Sequence, residues 1–207
     1  EDNWHHIVGR MNSTHIELFV DGQSEGSRAR TRSPHNAGTV YMGSGASIYY
    51  MFGAMDENKV YDFWMDNEQI LELYENHTVI GDTPILHYEY DGTETTTITD
   101  ETGNGHTGTI SGNFETARGG IVKEQGSYFF NGEYTYMDIG TSPLFEATAT
   151  KFTAGMWAYI DTESFDGTVQ LLFDSGTGDP NINNGFYFGT DDRGGVNSPL
   201  NGIQFAL

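Results

Sequence analysis

The sequence predicts an all-β protein, a sandwich of two antiparallel sheets with one short helix, and three observations lead to this prediction. The 27 glycines among 207 residues are spread in short clusters, a spacing of turn residues that is typical of many short strands. The segments between the clusters alternate apolar and polar residues, as half-buried strands do. Hydrophobic residues make up 36% of the chain, enough to bury a core. The strands are therefore expected to pack as two layers.

The first strands are predicted around a hairpin. Ile16, Leu18 and Val20 alternate on one face, and Asp21-Gly22 follows as a strong signal for a two-residue turn. The strands predicted after it are residues 39–43, 53–63, 85–91, 127–130, 134–139, 152–160, 169–173, 185–189 and 202–207.

One segment, residues 66–74, departs from the strand pattern. Its apolar side chains have helical spacing, and Asp66 precedes them as an N-cap with Gln69 three residues later. Gly81-Asp82-Thr83-Pro84 then interrupts the pattern before a new strand begins. We expect a short helix and, near residue 81, an organisational boundary.

Charge and composition exclude several classes of function. The net charge is −21, and the chain has 9 Lys and Arg against 30 Asp and Glu, which argues against nucleic acid or an anionic membrane surface as a partner. The absence of cysteine excludes a disulfide scaffold, a Cys-ligated zinc and a thiol nucleophile. No apolar run is long enough for membrane insertion.

Other features of the sequence favour an extracellular or cell-surface location. The chain is acidic and rich in Thr and Gly, and Asn12 and Asn76 each begin a glycosylation sequon. It begins with Glu1 rather than an initiator Met, so we expect a mature product, a repeat unit or an excised piece.

A family resemblance rests first on motifs in residues 1–81. In order they are Trp4-His5-His6-Ile7-Val8, Ile16-Glu17-Leu18-Phe19-Val20-Asp21-Gly22, Tyr41-Met42-Gly43, Phe52-Gly53-Ala54-Met55-Asp56-Glu57 and the predicted helix up to Tyr74. This segment resembles the C-terminal half of a laminin-G-like, concanavalin A-like jelly-roll domain. The resemblance implies a two-sheet antiparallel jelly-roll sandwich.

Residues 82–207 are similar to the N-terminal half of the same family. The motifs are Leu86-His87-Tyr88, Asp100-Glu101-Thr102-Gly103-Asn104-Gly105-His106-Thr107-Gly108, Tyr128-Phe129-Phe130-Asn131-Gly132 and Phe152-Thr153-Ala154-Gly155-Met156-Trp157. Together the halves make about one domain in reversed order. Either the chain is circularly permuted, or it spans the end of one tandem domain and the start of the next, as one period of a polymer would. Each half must be completed within this chain or by a neighbour.

The resemblance also implies a structural calcium ion near the first and last strands. Asp100 and Asn104 lie in a turn rich in oxygen ligands and glycine, which suits a hard cation. Asp56 sits at the matching late position of the family pattern. We therefore predict calcium at Asp56, Asp100 and Asn104, although turn formation alone explains the same residues.

A second polar loop lies where related lectins and pentraxins place a ligand-binding calcium. It contains Asp174, Asp179 and Asn181, followed by Asn183 and Asn184. The acidic stretch that those proteins add from a late strand is replaced here by residues 44–49, which offer no carboxylate. The loop is thus a candidate metal or ligand site, or simply a loop.

Aromatic side chains have two interpretations. Exposed on a sheet they would stack on sugar rings, for which the available residues are Tyr49, Tyr50, Trp64, Tyr134 and Tyr136. Buried, they fill a sandwich core. We assign Trp4, Trp157, Phe129 and Phe173 to the core.

Arg28, Arg30 and Arg32 fall on one face if their segment is extended. In so acidic a chain they form a candidate docking strip for an acidic neighbour, such as another copy of the chain. A solvated hairpin arm is the alternative. His5 and His6 should point to opposite faces of a strand and cannot bind one zinc ion together.

Catalysis finds little support. The sequence has neither a G-x-S-x-G elbow nor the E-x-D-x-x-E strand of related glucanases. We predict a non-catalytic, calcium-stabilised extracellular module with a structural or adhesive role, as a repeating unit of a surface filament or large surface protein. Its partners would be other copies of itself or neighbouring domains. The alternative is a carbohydrate-binding module, free or appended to a glycan-active enzyme.

Overall fold

The computed structural model describes residues 3–30, 39–45, 49–90, 96–112, 115–116, 126–141, 150–160, 169–174, 187–191 and 202–206. Within these ranges the chain forms fifteen strands and one helix. In order they are β1 Trp4–Met11, β2 His15–Val20, β3 Gln23–Ala29, β4 Thr39–Met42, β5 Phe52–Tyr61, α1 Asn67–Asn76, β6 Leu86–Tyr88, β7 Thr97–Ile98, β8 Gly108–Ser111, β9 Glu115–Thr116, β10 Tyr128–Asn131, β11 Tyr136–Thr141, β12 Phe152–Ile160, β13 Val169–Asp174, β14 Tyr187–Asp191 and β15 Gly202–Ala206.

The strands form two antiparallel sheets. Seven strands of the eight-stranded sheet have the order β3-β2-β1-β12-β5-β10-β9, and the eighth strand, β6, pairs with β5. The seven-stranded sheet has the order β15-β14-β13-β4-β11-β8-β7. This architecture confirms the predicted jelly-roll sandwich with one short helix.

Both sheets contain strands from the two halves of the chain. In the eight-stranded sheet, β1 pairs with β12 along its whole length, and β5 pairs with both β10 and β12. In the seven-stranded sheet, β4 lies between β11 and β13. The segments before and after residue 81 therefore complete the same two sheets within one chain.

The core between the sheets is unusually rich in methionine. All seven methionines are buried, and six of them belong to the inter-sheet core: Met11, Met42, Met51, Met55, Met137 and Met156. Methionine is flexible and fills irregular gaps. Tyr88, Tyr90, Tyr128 and Phe130 supply the largest rings of the same core.

The assignment of aromatic residues to the core is only partly right. Phe173 belongs to the core between the sheets. Trp157 and Phe129 are buried but lie outside that core, and Trp4 is only half-buried. Trp157 instead packs against α1, where it contacts the rings of Tyr74 and His77.

Helix α1 covers the outer face of the eight-stranded sheet. Asp66 and Gln69 form the predicted capping box, with reciprocal side-chain to backbone hydrogen bonds of 2.9 Å. Ile70 and Leu73 pack in a second apolar cluster with Val8 of β1 and neighbouring residues. The described part of the chain contains no helix long and apolar enough to cross a membrane.

The predicted hairpin at Asp21-Gly22 joins β2 to β3. Both residues have positive φ, 49° and 75°, as a type I′ turn requires. The Asp21 carboxylate accepts hydrogen bonds from the backbone N–H of His6 and from the ring of His5, at 2.9 and 2.8 Å. The turn is therefore tied to β1.

Candidate functional site

The outer face of the seven-stranded sheet carries a group of tyrosines. Met42 of β4 and Met137 of β11 are buried in the core. Because side chains alternate along a strand, Tyr41 and Tyr136 point to the outer face. Two loop residues extend the group: Tyr50 lies against Tyr136, and Tyr134 lies against Tyr50.

These four rings form a connected row. The centroids of Tyr41 and Tyr136 are 5.7 Å apart, those of Tyr136 and Tyr50 are 6.4 Å apart, and those of Tyr50 and Tyr134 are 5.3 Å apart. The first pair meets edge to face, at 76°. Tyr134 is 73% exposed, and the other three are partly buried. We call Tyr41, Tyr50, Tyr134 and Tyr136 the tyrosine face.

The exposed Tyr134 is held by the loop that joins β10 to β11. Its own backbone has a positive φ of 55°. Asn131 shapes the loop, because its Oδ1 accepts hydrogen bonds from Glu133 N and Thr135 Oγ1 at 2.9 and 2.6 Å. A side-chain acceptor used in this way stabilises a tight turn. The ring is thus presented by an ordered loop.

Carboxylates flank the tyrosine face. Tyr41 is directly paired with Asp138 of β11 on one side and with Asp174 of β13 on the other. Directly paired residues share a face, with Cβ atoms about 4.5–5.5 Å apart. Asp138 Oδ1 accepts a hydrogen bond from Gly140 N at 2.7 Å. The face therefore combines aromatic rings with negative charge.

Asp100, one of the predicted calcium ligands, lies at the centre of a self-contained turn. Its Oδ1 accepts hydrogen bonds from His87 N, Thr102 N and Thr102 Oγ1, and its Oδ2 accepts one from His106 N. Burial raises the pKa of Asp100, but these hydrogen bonds outweigh it and leave the pKa below its usual value. Four hydrogen-bond donors already surround the carboxylate, whereas a bound cation would need acceptor atoms around it.

The other two predicted calcium ligands are also engaged. Asn104 donates from Nδ2 to Ile85 O at 2.9 Å. Asp56 is fully buried on β5, and its Oδ1 accepts a hydrogen bond from Glu57 N at 2.9 Å. As placed, the donor-surrounded Asp100 and the fully buried Asp56 do not form an open set of oxygen ligands for calcium. Calcium at Asp56, Asp100 and Asn104 stays a prediction.

The second predicted loop is described only at Asp174. That residue is buried at the end of β13, whereas Asp179 and Asn181 lie outside the described residues, as do Asn183 and Asn184. Metal or ligand binding by this loop therefore stays a prediction.

Both predicted glycosylation sites lie at turns. Asn76 is the exposed last residue of α1. Asn12 is half-buried between β1 and β2, where its Oδ1 accepts hydrogen bonds from the N–H groups of Thr14 and His15. Glycosylation of either residue stays a prediction.

The predicted docking strip lies at an edge of the eight-stranded sheet. Arg28 belongs to β3, all of whose residues are exposed. Arg30 follows it, donates from Nη1 to Asn12 O at 2.9 Å, and has a pKa lowered by burial. Arg32 lies outside the described residues. The docking role stays a prediction.

Of the aromatics predicted to bind sugar, Trp64 has a structural role. The guanidinium of Arg10 lies 4.2 Å from its ring centroid and 4.6 Å from that of Phe19. Arg10 also pairs with Glu17 at 2.6 Å and donates to Met65 O. Trp64 therefore helps to fasten the start of α1 to the sheet, away from the tyrosine face.

A buried charged network lies on the opposite side of the molecule. Glu57 Oε2 is 2.5 Å from Lys59 Nζ and 3.1 Å from His87 Nε2. Burial raises the pKa of Glu57, but the hydrogen bond from His87 and the charge of Lys59 lower it to about 2. The ligand atoms of Glu57, His87 and Glu89 lie within 4.8 Å of one another, yet the Lys59 ammonium already neutralises Glu57. The network fits an ion-pair cluster better than a metal centre.

His6 lies beside this network, under α1. Its ring contacts those of Tyr74 and Trp157, with centroids 5.9 and 5.1 Å away. Its Nδ1 is buried and has no hydrogen-bond partner among the described residues. Burial lowers the pKa of His6 to about 3, against an opposing effect of Asp21. His6 is therefore a neutral packing residue.

The tyrosine face was only partly foreseen. Tyr50, Tyr134 and Tyr136 were sugar-binding candidates, and the structure brings them together. Tyr49 is half-buried with a positive φ of 57°. Tyr41 and Asp138 were assigned only to predicted strands. The alternation within 39–43 and 134–139 could have placed both on the outer face, but their pairing required the sheet order.

The two antiparallel sheets and the single helix define the class of protein, an all-β jelly-roll sandwich. Residues 1–71 match the laminin-G family model described as the concanavalin A-like lectin/glucanases superfamily. The match confirms the predicted resemblance to laminin-G-like domains. At the level of the superfamily it supports a carbohydrate-binding or adhesive module. Neither the comparison with curated proteins nor that with solved structures gives a significant match.

Proposed function

We propose that this chain is a non-catalytic, extracellular adhesive module that binds carbohydrate through the tyrosine face. The observation that carries the proposal is the row of four tyrosine rings on the outside of a sheet, ending in the 73% exposed Tyr134. One ring of the row is exposed and three are partly exposed, so the row offers a ligand an aromatic surface for stacking. Tyrosine suits such a surface because it offers a large apolar ring and a hydroxyl at little entropic cost.

Neither flanking carboxylate lies in a catalytic arrangement that we recognise. Asp138 and Asp174 are on separate strands at either side of Tyr41, so the aromatic ring lies between them. A glycosidase needs its two carboxylates across one scissile bond. Asp174 is moreover buried, which supports binding rather than hydrolysis.

The filament hypothesis takes second place. Strands from both halves of the chain pair within each sheet, so exchange of strands between subunits is not needed to complete either sheet. A role as a repeating unit, with other copies as partners and calcium as stabiliser, stays a prediction. It would have to use outer surfaces such as β3.

The test is binding of the chain to insoluble cellulose, chitin and xylan, followed by titration calorimetry with an oligosaccharide of the retained polymer. Replacing Tyr134 and Tyr136 together with Ala should weaken binding about tenfold or more, since two ring contacts are lost. Ile80→Ala is the matched control, because Ile80 is 85% exposed and lies in the turn after α1.

Three outcomes would contradict the proposal. They are no retention on any polymer, equal weakening by the Ile80 variant, and unchanged binding by the tyrosine variant. Release of reducing ends from the bound polymer would contradict its non-catalytic part.

A further inference from the structure

The described basic residues are divided unequally between the two sheets. The strands of the seven-stranded sheet contain no Lys, Arg or His in the parts that the structure describes, while β11, β13 and β14 each contain an Asp. The described Lys and Arg residues all lie in or next to strands of the other sheet: Arg10, Arg28, Arg30, Lys59 and Lys151. Among the described residues, the sheet of the tyrosine face therefore carries carboxylates without a basic side chain, in a chain whose net charge is −21.

Carboxylates on the two sheets have different surroundings. On the eight-stranded sheet, Glu17 and Glu57 pair with Arg10 and Lys59 at 2.6 and 2.5 Å. No such basic residue is present on the described strands around Asp138. A ligand that brings its own positive charge would therefore complement this surface.

The tyrosines favour the same kind of ligand. A cation within about 6 Å of an aromatic ring centre is attracted by the electrons of the ring. Tyr41 has a carboxylate-bearing neighbour, Asp138, paired directly with it. An ammonium group beside Tyr41 would contact a ring and a carboxylate at once. Sulfated or uronic-acid glycans would instead be repelled.

The length of the face favours a chain over a single small cation. Successive ring centroids are 5.3–6.4 Å apart over four tyrosines, a spacing comparable with the length of one sugar ring. We propose that the tyrosine face binds glycans that carry protonated amino groups, that is, polymers of deacetylated hexosamine. This inference rests on the proposed carbohydrate-binding function and narrows its ligand class.

The experiment compares three probes by titration calorimetry: a glucosamine hexamer, an N-acetylglucosamine hexamer and a heparin hexasaccharide, at a pH where the glucosamine amines are protonated. The glucosamine hexamer should bind about tenfold tighter than its acetylated counterpart, and heparin should not bind. Asp138→Asn should remove most of this preference, while leaving the acceptor for Gly140 N in place. Glu25→Gln, on exposed β3, removes the same charge from the other sheet and is the matched control.

The outcomes separate the two proposals. Equal affinity for both hexamers, or equal loss of preference in the Glu25 and Asp138 variants, would overturn the amino-glycan inference and leave carbohydrate binding intact. Absence of binding to all three probes, together with no retention on cellulose or xylan, would overturn the proposed function itself. Unchanged thermal melting of Asp138→Asn confirms that its effect is on binding.

Discussion

At the scale of single residues, His6 couples the packing of α1 to pH. The ring is 3% exposed and lies between Tyr74 and Trp157. Asp21 faces it from the β2–β3 turn, and its charge favours protonation. His77 and Lys59 oppose protonation, as does burial. A protonated Nδ1 would have no acceptor among the described residues.

We predict a loss of stability as pH falls below the ordinary histidine range. The pKa of His6 is about 3 in the folded chain and about 6.5 when unfolded, so below pH 6.5 the unfolded state binds the extra proton. Stability is full above that value and is lost progressively toward pH 3. Between pH 7 and pH 5 the loss should be about 2 kcal/mol.

Denaturant unfolding at several pH values measures this loss. His6→Phe keeps an aromatic ring in the stack and should flatten the pH dependence between pH 7 and pH 5. His15→Phe, at an exposed position, should leave it unchanged. Glu57, whose pKa is lowered from 4.5 to about 2 in the folded chain, loses its contribution to stability mainly below this window. An equal slope in the His6 variant and the parent would contradict the assignment.

At the scale of single residues, the sequence predicted which side chains could be functional but not which residues contact them. Asp100 stood out because it begins a polar, glycine-rich turn, and the structure shows its oxygens accepting four hydrogen bonds. Two of the donors, Thr102 and His106, are close in sequence. The third residue, His87, comes from β6, and no local pattern predicts that contact. A tight turn and a calcium-binding loop can have the same sequence, so only the hydrogen-bond donors around Asp100 distinguish the two.

At the scale of elements, the turn around Asp100 fastens β6 to the segment that leads to β8. We predict that Asp100→Ala lowers the free energy of unfolding by about 2–4 kcal/mol, because it leaves backbone N–H groups unpaired. The loss should be equal in calcium and in chelator. Glu101→Ala, at an exposed neighbour, is the control and should change little.

Thermal melting of the parent and both variants, with and without calcium, measures these effects. A melting temperature that rises with calcium in the parent and not in the Asp100 variant would assign Asp100 to a metal site. That result would support the predicted calcium site and contradict the role of the turn that its hydrogen bonds indicate.

Elements whose signals are local were predicted well. The capping box of Asp66 and Gln69 and the Asp21-Gly22 turn act within a few residues, and both formed as expected. The short strands β7, β8 and β9 were not predicted, because two to four residues rich in Thr and Gly carry no usable alternation. Their strand state depends on partners such as β11 and β10.

At the scale of the whole molecule, the sequence predicted the two-sheet architecture but not which surfaces would be covered. The assignment of Trp157 to the inter-sheet core was wrong because α1 returns to cover the outer face of the eight-stranded sheet. Likewise, the placement of the described Lys and Arg residues in or next to one sheet follows from the sheet order. Neither feature is visible until distant strands are placed side by side.

The pairing of the two halves gives a prediction about the whole fold. β1 pairs with β12 over eight residues, and β4 and β5 each have partners on both sides from beyond residue 81. The turn between the halves is exposed at Gly81. The stabilising contacts join strands before the turn to strands after it and do not involve the turn itself. Cutting the chain there therefore costs mainly chain entropy.

We therefore expect a chain with a protease site inserted after Gly81 to stay assembled when cut. The fragments should elute together in size-exclusion chromatography and keep the near-ultraviolet circular dichroism of the uncut chain. Expressed alone, residues 1–81 and 82–207 should each lack that signal, since each exposes unpaired strands and half of a core. A site inserted within β12, opposite β1, is the matched control and should prevent folding. Separation of the fragments after cutting at Gly81, or independent folding of either one, would show that the halves do not depend on each other.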